Sequence, residues 1–278
     1  MKIKNIIILL SLALSNLIVA QKGNFYISVQ SGANTVEDKT NFTFASPKIG
    51  GSIKAGYVYN LNERLGLGTG VEYTMYNQTA QIHNGDTYTT VLVDDMGSAF
   101  EYRIKATNYR EEQTLKAFQI PLFLQLKTAL TTTNSFYCRL GGKLVIPSKF
   151  KIDASAASVS GSGYYPDVNL EITDLPSHGF GTQNNWKASG TYKTKLAYMA
   201  SAEAGFDFKI GAKSSIYTGF FIDYGLTNVV DSNDAATSFV GYNPSSINDR
   251  AANGVYSSNN INSKPMSFGV TLGLNLGN

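Results

Sequence analysis

Seven charged side chains fall on the polar faces of segments whose opposite faces are apolar: Lys54, Glu72, Arg139, Lys143, Glu203, Asp207 and Asp223. An isolated charge in an enclosed space is costly, so cations and carboxylates folded into one lumen are expected to pair. Pairing predicts a structural lumenal charge network; the sharper alternative is a gate or a proton path. Glu203 and Asp207 also suggest paired-carboxylate hydrolysis. Four residues apart on one strand face, they stand ~13 Å apart at ~3.3 Å per residue, too far for that chemistry. His83 and His178 are the only histidines. Ser177 adjoins His178, but neighbours in sequence rarely present a nucleophile to its own base, and no G-x-S-x-G elbow is present. Asp231-Ser232-Asn233-Asp234 lacks the glycine and distal glutamate of a calcium loop. Cys138 reads as a small hydrophobe on the apolar face. No catalytic, cofactor-binding or metal-binding residue is assigned, and the chain is expected not to be an enzyme.

The elements that would position these charges show an apolar/polar period of two. At the end of the chain Phe268, Val270, Leu272, Leu274 and Leu276 alternate with Ser267, Gly269, Thr271, Gly273 and Asn275. The same alternation recurs over 25–31, 48–59, 65–76, 115–127, 136–146, 196–210 and 215–227, which makes eight strands with 267–276. Most reach the ~9–11 residues that a tilted transmembrane strand needs, whereas soluble strands run to ~5–6. The fold expected is all-β: a transmembrane antiparallel up-and-down barrel with lipid outside and a polar lumen. Only 15% of the 278 residues are charged, against about 25% in ordinary soluble domains. A net charge of +3 provides no basic field for nucleic acid, and one cysteine allows no internal disulfide.

Short connections (60–64, 130–134, 211–214) alternate with long ones (32–47, 78–114, 148–194, 228–264). This is the pattern of short periplasmic turns and long outer loops, with both termini in the periplasm. Within 78–114, His83-Asn84-Gly85-Asp86 signals a hairpin followed by strand-like runs over 87–93 and 100–109. We expect a sheet projecting above the membrane; the alternative is ten barrel strands. Residues 154–165 and 231–262 are rich in Ser, Asn, Gly and Tyr, which suits either flexible filler or an adaptable binding surface. Lys2 and Lys4 before an apolar run ending at Ala20 read as a signal peptide over 1–20, leaving 21–278 as an exported barrel domain. The expected location is the outer membrane of a Gram-negative bacterium, in contact with its lipid.

Four motifs resemble the small outer-membrane β-barrels of Bacteroidetes often labelled PorT-like. They are Gly70-Val71-Glu72-Tyr73-Thr74-Met75-Tyr76, Phe118-Gln119-Ile120-Pro121-Leu122, Gly141-Gly142-Lys143 and Tyr224-Gly225-Leu226-Thr227-Asn228. The likeness covers the strands, roughly half the chain, and not the long loops. The chain departs from the family in ending Leu276-Gly277-Asn278 rather than in an aromatic residue. The resemblance implies location and fold, and suggests an accessory role in protein secretion with secretion machinery as partner. The residues themselves favour surface interaction or envelope integrity through the outer loops, with a protein or glycan ligand. A small pore or a loop-rim hydrolase comes third.

Overall fold

Strands whose side chains alternate between two environments can satisfy both, and leave no unpaired edge, by closing on themselves, and this chain does so. The computed structural model describes residues 23–37, 43–231, 238–257 and 262–277. The expected signal peptide over 1–20 lies outside the described residues, as do three of the four residues of the 231–234 turn. Eight strands form an antiparallel ring: β1 (Gly23–Glu37), β2 (Thr43–Asn60), β3 (Leu65–Ile82), β6 (Arg110–Ala129), β7 (Asn134–Tyr165), β10 (Ala197–Lys209), β11 (Ser214–Gly225) and β12 (Lys264–Gly277). Each pairs with the next, β7 passes directly to β10, and β12 closes on β1. The ring has eight strands, not ten.

The remaining strands stand on one end of this ring. β4 (Thr87–Val93) and β5 (Ala99–Thr107) form a hairpin closed by the turn at 94–98, whereas 83–86, the expected hairpin turn, joins β3 to β4, which do not pair with each other; β5 pairs with residues 158–164 of β7. β8 (Leu170–Ile172) and β9 (Gly181–Thr191) pair with the same upper half of β7. The hairpin thus projects above the barrel, with Phe100, Tyr102 and Ile104 buried on the opposite face from Glu101, Arg103 and Lys105.

Much of what reads as long loops is β-structure. β7 has 32 residues, against an expected strand of 136–146. It continues through 154–165, which is neither filler nor an irregular loop. Two local features hide it. A β-bulge at Ser148 reverses the alternation: even positions face outward over 136–146 and inward over 150–156, and the phase turns again above, where Val159, Gly161 and Gly163 are the buried ones. Further up, small residues make room for rings: a Cβ on Gly163 would lie 2.5 Å from the Phe180 ring, and one on Gly161 2.9 Å from the Tyr102 hydroxyl. The Ser/Gly-rich composition here is the imprint of packing beneath aromatics.

These strands, with residues 238–257 folded across them, enclose one apolar core that includes Phe100, Phe150, Ile152, Trp186, Tyr192 and Tyr256. It reaches down to Ala117, Val145 and Met199 at the rim of the ring, so the head is continuous with the barrel and covers its mouth. Around the ring below, the polarity is reversed. Side chains such as Ile53, Leu122, Leu140, Phe220 and Leu272 point outward and are at least half exposed.

Candidate functional site: the filled lumen

The lumenal face of each ring strand is set by the same period of two that turns the apolar residues out, so the polar residues have nowhere else to point. All seven charges named from the sequence are buried there. They form three clusters. Near the short-turn end Asp207 is paired with Lys127 and accepts from Asn275 Nδ2 at 3.4 Å. The Arg139 guanidinium lies above, within 4.6–5.3 Å of the ring centroids of Tyr26, Phe123, Tyr137 and Tyr217. Its Nη1 donates to Glu203 Oε1 at 2.9 Å and its Nε to Gln125 Oε1 at 2.9 Å. Glycines make the space for two of these rings. A Cβ on Gly68 would lie 2.2 Å from Phe123, and one on Gly273 2.3 Å from Tyr217.

Glu203 links this cluster to the far wall. Its Oε1 also accepts from the Tyr137 hydroxyl at 3.0 Å, and its Oε2 from Lys54 Nζ and Gln30 Nε2, both at 3.2 Å. Gln30 is held in turn by Ser52 and Thr271. In the third cluster Lys143 Nζ sits between Glu72 Oε2 at 2.8 Å and Asp223 Oδ2 at 2.7 Å. Above it Gln119 Nε2 donates to the Tyr76 hydroxyl at 2.6 Å, and the apolar core of the head begins.

With Lys127, four cations face four carboxylates, and each carboxylate has an ionic partner. Charges this deeply desolvated persist only when paired and hydrogen-bonded. Between Arg139, Lys127 and Asp207 the remaining cavity holds about 10 Å³, roughly the space of a single water. Glu203 and Asp207, the tempting acid pair, belong to different clusters. Lys127 and Gln30 complete the arrangement although the charge count did not single them out. The signal was present for Lys127, which continues the phase of Gln119 and Gln125.

The other candidates are dispersed. Ser177 Oγ does approach His178 Nδ1, at 3.1 Å, but on an exposed turn where no carboxylate bonds the imidazole among the described residues. His83 lies in the connection from β3 to β4. Cys138 is half-buried, between the outward Phe136 and Leu140. Among the described residues no cluster of His, Cys, Asp and Glu could hold a metal ion.

Among the described residues, the head holds one buried carboxylate that the sequence reading missed. Glu111, on β6 above the ring, accepts from Tyr109 OH at 2.7 Å, Gln113 Nε2 at 2.7 Å, Tyr192 OH at 2.6 Å and the Val255 N–H at 3.0 Å. Burial raises its pKa above the ordinary carboxylate value, and these four bonds oppose the rise. Gly254, at φ +82°, turns the chain so that the Val255 N–H faces the carboxylate. A Cβ there would lie 2.1 Å from the Tyr192 hydroxyl.

No protein-family model matches the chain, and neither does any curated protein sequence. Several solved structures are similar to it. Neisserial surface protein A is 10% identical over 91% of this chain and 97% of that one, with a TM-score of 0.38. The outer membrane protein OprG from Pseudomonas aeruginosa is 10% identical over 93% and 98%, also at 0.38. Ail, the attachment invasion locus protein of Yersinia pestis, is 10% identical over 92% and 98%, at 0.30.

Proposed function

We propose that this chain is a non-conducting barrel of a Gram-negative outer membrane, whose work is to hold a rigid head at the cell surface. There the head engages a protein or glycan partner, in surface interaction or in support of the envelope. The observation that carries this reading is the reversal of polarity between ring and head. An outward apolar belt around a closed, edgeless ring suits lipid, whereas an apolar core under a polar exterior suits water. The short turns then face the periplasm and the head faces outward. Filled by paired charges and rings, the lumen serves as a structural plug rather than a path.

Two measurements test this. Purified protein in planar bilayers should give no stable porin-like conductance steps; regular steps from the wild type would overturn the plug. The second test trims the head. Because it packs as one core, the segments 83–108, 154–185 and 231–262 must be replaced together by short Gly/Asn turns. The trimmed barrel should still insert but fail to complement a null strain. Full complementation would place the working surface in the periplasm. That outcome would favour the secretion-accessory role suggested by the PorT-like motifs.

A further inference from the structure

The bulge in β7 does more than shift register. Below it Ile146 pairs with Phe118, and both face outward at the top of the apolar belt. The register then steps from Ala117 opposite Pro147 to Lys116 opposite Lys149, leaving Ser148 as the extra residue. Lys149 is thereby turned outward and Phe150 inward to the head core. Directly opposed residues on one face of a sheet stand ~4.5–5.5 Å apart at Cβ, and like charges so placed repel. Lys116 and Lys149 are both exposed. Two acids on the same wall are already engaged: Glu112 with Lys48 and Arg110, Asp153 with Lys151 and Ser189.

We propose that Lys116 and Lys149 form a binding site for the phosphate groups of an anionic lipid headgroup in the outer leaflet. This rests on the outer-membrane reading above. A phosphate between the ammonium groups turns their mutual repulsion into shared attraction, and each lysine offers three donors. The row stands immediately above Phe118 and Ile146, so a lipid whose acyl chains lie along those side chains places its headgroup at the lysines. That geometry selects a lipid over free phosphate, which would have no apolar contact to make.

The test uses the full chain in detergent micelles and native mass spectrometry, with diphosphorylated lipid A and its dephosphorylated counterpart as probes. The wild type should retain the phosphorylated lipid preferentially. The Lys116→Gln/Lys149→Gln double variant should bind it roughly thirty-fold more weakly, from about 1 kcal/mol for each lysine. The Lys116→Arg/Lys149→Arg variant should keep most of the affinity. Equal retention of the two lipids by the wild type would overturn the site, as would an unchanged affinity in the glutamine variant. Displacement of the lipid by millimolar inorganic phosphate would overturn the lipid assignment. Flotation of the wild type with zwitterionic vesicles tests the membrane reading separately. Failure to float overturns both readings, whereas flotation without headgroup preference overturns only this one.

Discussion

The ring and the head are built from the same strands turned inside out. In the lower half of β7, Phe136, Leu140 and Ile146 face outward while Arg139 and Lys143 face inward. In its upper half Lys149, Lys151 and Asp153 face outward while Phe150, Ile152 and Ala154 are buried. One continuous strand presents opposite polarities outward, and a single extra residue, Ser148, makes the exchange. β6 makes the same passage without a bulge, with Leu122 and Phe118 outward below and Glu112 outward above. The comparison teaches that exposure has no fixed meaning along such a strand. Leu272 on the ring is 55% exposed and Val91 on the head 69%, yet on the outer-membrane reading proposed above the first faces lipid and the second faces water.

The largest expected effect comes from breaking the plug. Lys143→Met leaves Glu72 and Asp223 buried and unpaired, and should destabilise the barrel by about 3–5 kcal/mol. Urea titration of the refolded protein, followed by heat-modifiable gel mobility, measures it. Next comes the outward face of the ring. Leu272→Arg should cost about 2–4 kcal/mol in bilayers if that position lies near the midplane, and a wild-type midpoint would contradict the assigned facing.

Head and barrel should then separate. Glu111→Ala orphans donors of Tyr109, Gln113, Tyr192 and Val255, and should loosen the head by about 1–3 kcal/mol. Limited proteolysis should cut the head of this variant while the barrel band stays heat-modifiable. The same carboxylate gives the head a pH dependence of definite sign. Its folded pKa is raised by burial, so the folded head holds its proton to higher pH than the unfolded chain does. Head stability should therefore fall as pH rises from the ordinary carboxylate value through the raised folded one, and be regained on acidification. Proteolysis rates across that window would show it; a wild-type head that loosens on acidification there would contradict it. Smallest is Val91→Arg, expected to stay within about 0.5 kcal/mol. A loss there comparable to that of Leu272→Arg would erase the distinction between the two regions.

The ring was legible because alternation is enforced on both sides at once, from Phe268 to Leu276 and from Phe118 to Leu126. The lumenal charges were legible for the same reason, since Lys54, Glu72 and Arg139 occupy the phase opposite the apolar residues. The head was less so. At Ser148 the phase reverses, and a reader following even positions loses the strand where Phe150 and Ile152 take up the opposite face. Ala154 to Gly163 carry too little side chain to show a pattern, because the bulk of that layer is supplied by Tyr102, Phe180 and Trp186 from elsewhere. Glu111 was hidden among Arg110, Glu112 and Lys116, where a charged run reads as a solvated face. Only tertiary contacts distinguish it from its neighbours.

The lumenal network also constrains how the barrel forms. Its bonds join residues far apart in the chain: Lys54 to Glu203 spans 149 positions, and Gln30 to Thr271 spans 241. No hairpin taken alone contains all the partners of its own charges. On the outer-membrane reading, a partly assembled sheet entering the bilayer would carry Lys54 or Glu203 with a partner still missing, at the cost of an unpaired ion in a poor solvent. Intermediates of that kind are penalised, while closure of β12 on β1 brings the last partners together. Assembly should therefore approach an all-or-none step, with the charges that fill the finished barrel also acting as a check that it is finished.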